Sequence, residues 1–95
     1  MNELILLGIF YDEMTARGSD LNNVFLSVDG NMMTHLKDTY DIDITINELE
    51  DAARVCIASR WLERTTADPY FNYLSMTENG LKKFLDSNYR FPETR

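Results

Sequence analysis

Apolar residues in the first sixteen positions recur at helical spacing, with Leu4, Leu7, Tyr11 and Met14 three or four apart on one face. That spacing predicts a first helix over residues 2–16 with this face in the core. Ile5, Leu6, Ile9 and Phe10 make the remaining faces apolar as well, so the helix needs a second cover. An exposed patch of that kind marks an interface, and Ile5, Leu6, Ile9 and Phe10 are therefore expected to form a homodimer contact. Residues 17–23 (RGSDLNN) carry turn chemistry, and 24–28 (VFLSV) read as a short strand. Asp29 can cap a second helix over 30–40, whose stripe is Met32, Met33 and Leu36.

The run Thr45-Ile46-Asn47-Glu48 has the form of a capping box and predicts the start of a third helix. On that helix Leu49, Ala53, Cys56 and Ile57 fall on one side, flanked by Ile46 and Ala52. Asn47, Asp51, Arg54 and Ala58 fall on the other. Residues 61–66 and 70–76, interrupted by Ala67-Asp68-Pro69, predict a β-hairpin. Alternation along its second strand places Phe71 and Tyr73 on one face and Tyr70 and Asn72 on the other. Thr77 can cap a final helix over 78–86 with Leu81, Phe84 and Leu85 on its apolar face. Periodicity ends there, so residues 1–86 are read as one domain and 87–95 as an extension that is loose or docks on a partner.

The expected class is thus α+β and mainly helical, in the order helix, short strand, helix, helix, hairpin, helix. This is the layout of a winged helix. Two stretches carry the likeness: RWLERT at 60–65 resembles the strand that opens a wing, and YLSMTENGLKKFL at 73–85 resembles the end of a wing and the capped helix after it. The chain resembles, over residues 2–86, small bacterial regulators of the MarR and PadR kind. One departure is Arg60, where the family usually has a glycine ending the third helix. A left-handed cap is costlier for arginine, so a different helix end is expected.

The resemblance implies that the third helix enters the major groove of DNA while the wing tip meets the backbone. Carried onto this chain, the helix positions are Asn47, Glu48, Asp51, Arg54, Val55 and Ala58, and the tip is Ala67, Asp68 and Tyr70. Only Arg54 among them is basic. The whole chain has 95 residues, 44% hydrophobic and 26% charged, with 16 acids against 9 bases and a formal net charge of −7. Six acids, Asp38, Asp41, Asp43, Glu48, Glu50 and Asp51, crowd the approach to the third helix and its first turns, where they repel phosphates.

Two functions are expected, one from this charge pattern and one from what the resemblance implies. The first is a regulatory or adaptor module that meets a basic protein partner through Asp38, Asp41, Asp43, Glu48 and Asp51. The alternative is a sequence-specific DNA-binding regulator that uses Asn47 and Arg54 with Arg64, Lys82 and Lys83 on phosphates.

Other chemistry finds little support. Asp41-x-Asp43 opens like a calcium loop, but the sixth position is Ile46 and the twelfth Ala52, so no metal is expected. The lone His35 and lone Cys56, with no phosphate-binding glycine motif, supply no nucleophile, base and orienting group, and neither enzyme activity nor a cofactor is expected. A single cysteine forms no internal disulfide and suits a cytoplasmic location. The longest apolar run, 4–10 (LILLGIF), is too short to span a bilayer, and no basic residue precedes it as in a signal peptide.

Overall fold

The computed structural model describes residues 2–20, 23–67 and 70–91. The described chain is mainly helical α+β. It runs α1 (Asn2–Arg17), α2 (Gly30–Tyr40), α3 (Ile46–Ala58), β1 (Leu62–Arg64), β2 (Leu74–Met76) and α4 (Glu78–Ser87). Leu21 and Asn22 of the expected turn, Asp68 and Pro69 of the expected wing tip, and residues 92–95, including Pro92, lie outside the described residues.

The three caps read from side-chain chemistry are all in place. Asp29 accepts from the amides of Asn31 and Met32 at 3.0 and 3.2 Å. Thr45 and Glu48 form the reciprocal box, with Glu48 N–H donating to Thr45 Oγ1 at 3.1 Å and Thr45 N–H to Glu48 Oε1 at 2.9 Å. Thr77 Oγ1 accepts from Gly80 N–H at 3.0 Å. Each satisfies an amide that the helix itself cannot pair, which is worth about 1 kcal/mol.

α1 is the centre of the molecule. It packs on α3, α4 and β2, and the faces expected to be outermost are the best covered: Leu6 and Phe10 are 0% exposed, Ile9 5% and Ile5 8%. The apolar patch on which the dimer expectation rested is therefore absent from the surface of the single chain. Its cover comes from the same polypeptide, since α1 packs on α3, α4 and β2 and Ile9 lies beside Leu26 and Met32, the arrangement a helix apolar on all sides requires. Of the residues expected to form the core face, Leu7 is fully buried while Leu4, Tyr11 and Met14 are half-buried.

The hairpin is shorter than its sequence pattern. β1 and β2 pair antiparallel through Leu62 with Met76, Glu63 with Ser75 and Arg64 with Leu74. The strand expected over 24–28 reduces to one bridge, in which Leu26 and Leu74 exchange N–H···O bonds of 2.9 and 2.8 Å. Alternation also fails before β2. Tyr73 has φ 56°, and Phe71 is buried while Tyr70 and Tyr73 are 71% and 59% exposed, so Phe71 and Tyr73 do not share a face. Leu85, expected on the apolar face of α4, is likewise exposed.

Arg60 corrects the expectation of a different helix end. It adopts φ 64°, with Trp61 N–H donating to the Cys56 carbonyl at 2.8 Å and Arg60 N–H to that of Ile57 at 3.1 Å. These are the two bonds of a Schellman close, here built on arginine at a position where glycine is usual. Thr77 Oγ1 donates to the Arg60 carbonyl at 2.5 Å, and Thr77 N–H donates to the Trp61 carbonyl at 3.0 Å, tying the turn to the start of α4.

The first residues after α4 fold back on the body. The Phe91 ring stacks on Tyr40 at 4.1 Å, and Tyr40 donates to Asp12 Oδ2 at 2.5 Å. Gly8 makes room for this strap, since a Cβ there would stand 2.9 Å from Phe91 Cζ and 3.1 Å from Phe84 Cε1. Gly8→Ala is expected to dislodge Phe91 with little change in melting, because a helical alanine regains about 1 kcal/mol over glycine. Faster chymotryptic cleavage after Tyr89 is the readout; an unchanged cleavage rate contradicts the packing.

Burial also sets a pH dependence. It pushes the Cys56 thiol up to about 12, with the charge of Glu3 adding to the effect. The Tyr40 phenol is raised above its ordinary range by burial and by its hydrogen bond to Asp12. In the unfolded chain these groups ionise near their ordinary values of 9.0 and 10.0. The native chain keeps protons that the unfolded chain releases, so stability is full below about 9 and falls as pH rises through and beyond those values. Denaturant midpoints across the alkaline range measure this, and a flat profile contradicts it.

Candidate interaction surface

The six acids lie along α2, its C-terminal turn and the first half of α3, and Asp38 and Asp43 line one shallow recess with Lys37. Residue Asp41 closes α2 in the left-handed conformation, φ 56°, which an aspartate tolerates better than most residues. That turn returns the Asp41 carboxylate to Lys37, one helical turn back, at 3.1 Å from Nζ, and brings Asp43 Oδ1 to 3.3 Å from the same ammonium. The Lys37 ammonium is held protonated above its ordinary range by hydrogen bonds to the two carboxylates and then by their charge. Both carboxylates stay open to water, their side chains 74% and 84% exposed.

Farther along, Glu48 is engaged at the α3 N-terminus and Asp51 receives Arg54 Nη1 at 2.6 Å. Asp38, Glu48 and Asp51 are exposed and Glu50 is half-buried. Between residues 37 and 54 six acids face two bases, of which Lys37 is paired with Asp41 and Asp43 and Arg54 with Asp51. Surface pairs of this exposure add little stability. They leave the region negative and accessible.

The residues expected to read DNA lie in three places. Asn47 is exposed on α3. Arg54 and Arg64 converge on one ring, their Cζ atoms 5.3 and 5.1 Å from the Phe71 centroid, and Arg64 Nη1 also donates to the Tyr70 carbonyl. On α4, Lys83 Nζ lies 5.1 Å over the Trp61 ring, with Lys82 exposed beside it. Lys37 as the counter-ion was legible as an i, i+4 partner of Asp41. The meeting of Arg54 and Arg64 on Phe71 had no local signal, because it depends on where residues 65–73 carry that ring.

Elsewhere, His35 is exposed, its Nδ1 3.3 Å from Thr39 Oγ1, and Cys56 is fully buried. Among the described residues no helix is long and apolar enough to cross a membrane. No protein family, curated protein or solved structure matches this chain.

Proposed function

We propose that this chain is a non-enzymatic winged-helix module of regulatory or adaptor type, which captures a basic protein partner through the surface of Asp38, Asp41, Asp43, Glu48 and Asp51. The observation that carries this reading is the exposure of those carboxylates around the α2–α3 turn, with the neighbouring cations already paired among them. A cationic partner gains attraction there while a polyanion meets like charge, and steering of this kind speeds encounter as well as selecting the partner. The winged-helix part is supported by the order of elements and by the Leu26–Leu74 bridge, which adds a third segment to the hairpin.

The DNA-binding alternative draws on Arg54 and Arg64 meeting at Phe71. Against it, Arg54 is engaged by Asp51, and Lys82 and Lys83 stand on a different helix. Anisotropy titrations of labelled polylysine and of a labelled duplex from the chain's own upstream region, in low and then raised salt, separate the two readings. Binding of polylysine that weakens with salt supports the proposal. Duplex binding with a steep salt dependence, and none of polylysine, overturns it.

A further inference from the structure

The bridge that joins residues 24–28 to β2 leaves one side of that segment unpaired. Leu26 gives both its N–H and its carbonyl to Leu74, and Val28 N–H donates to the Phe71 carbonyl at 2.8 Å. In an extended segment the groups of alternate residues point to opposite sides. Those of Phe25 and Ser27 therefore point away from the hairpin, and among the described residues their backbone groups have no hydrogen-bond partner. Phe25 is also 46% exposed. This bridged segment beside the sheet thus leaves main-chain groups open on its far side with an aromatic side chain beside them, a feature that proteins usually cover or blunt.

A cavity of about 280 Å³ adjoins the same segment, lined by Ile9, Leu26 and Met32 on its apolar side and by Glu13, Asp29 and His35 among its polar groups. Asp29 meets its α2 cap through Oδ1 alone, and Glu13 holds Arg17 through Oε2. Each carboxylate so retains an oxygen engaged in neither contact. Edge and cavity together offer main-chain pairing, a recess for an apolar side chain and two carboxylates beside it.

We infer that the Phe25–Ser27 edge and the adjoining cavity take an extended, lysine- or arginine-bearing segment of a partner protein as an added β-strand, with an apolar side chain in the recess and a cation at Glu13 and Asp29. Main-chain bonds give such a docking its affinity, and alternate side chains give it selectivity. The site is separate from the α2–α3 carboxylates, so either can fail without the other.

The probe is a capped peptide of alternating lysine and valine, compared with the same peptide methylated on every backbone nitrogen, which keeps the charge and removes the amide donors. The unmethylated peptide is expected to bind at least about tenfold more tightly and to slow amide exchange at Phe25 and Ser27. Glu13→Gln is expected to weaken it severalfold, and Phe25→Pro, which removes an outward N–H, to abolish the difference between the two peptides. Equal binding of both peptides to the native chain overturns the inference, as do spectral changes confined to residues 38–51. A concentration-dependent dimer in which Phe25 and Ser27 become protected without peptide overturns it too, since the edge then serves a second copy.

Discussion

Gly80→Ala is expected to destabilise the fold by about 3 kcal/mol or more, lowering the thermal midpoint by roughly 15 °C or more. Gly80 stands in the first turn of α4, where helix propensity alone favours alanine. Its surroundings decide otherwise. A Cβ there would lie 2.1 Å from the Trp61 carbonyl oxygen and 2.8 Å from its carbon, with Met76 Cγ at 3.0 Å. The obstacle is backbone, and that backbone is fixed twice: the Trp61 carbonyl accepts from Thr77 N–H, and Trp61 N–H closes α3 on Cys56. Relief requires separating the α3–β1 turn from the start of α4. Gly30→Ala is the control, since a Cβ at Gly30 meets nothing within 4 Å. Circular-dichroism melts of both variants, with thiol labelling of buried Cys56 as an opening probe, test the contrast; a Gly80→Ala midpoint near that of the native chain contradicts it.

The double reversal Asp43→Lys with Asp51→Lys is expected to weaken polylysine binding by about tenfold or more while leaving the fold intact. The side chains are 84% and 75% exposed, so each substitution costs within about 0.5 kcal/mol of stability. Electrostatically the change is large. Attraction becomes repulsion at two points of one surface, and Lys37 and Arg54 each lose a carboxylate that had offset them. Asp20→Lys with Asp86→Lys alters the net charge equally at exposed sites elsewhere and should weaken binding far less, because solvent screens charges beyond about 10 Å. Equal losses in the two doubles contradict a local surface and leave only net charge.

What could be read from the sequence was local chemistry. Asp29, Thr45 and Thr77 announce their helices because a cap needs one side chain and two or three neighbouring amides, all within a few residues. The acidic run was legible for a related reason: its residues are nearly contiguous in the chain, and Glu48 belongs to the capping box that fixes where α3 begins. Most of the misreadings are long-range. Nothing within α1 tells that the rest of the chain buries Ile5, Leu6, Ile9 and Phe10, and a helix apolar on all sides reads the same whether its cover is its own chain or a partner. Tyr73 breaks the strand alternation through a positive φ supported by Ser27, whose Oγ accepts from its amide at 3.1 Å across 46 residues. Arg60 takes the position expected of glycine because the turn is held from outside, by Thr77. Residues 87–91 look like a tail until Gly8, far back in α1, provides the seat for Phe91.

The most direct test of the acidic surface is an amide chemical-shift titration of the isotopically labelled chain, with polylysine and with duplex DNA in turn. Polylysine is expected to shift the amides of Asp38, Asp41, Asp43, Glu48 and Asp51, and the duplex to leave them unmoved. A duplex that binds and shifts Asn47, Arg54 and Arg64, with polylysine silent at the carboxylates, contradicts it.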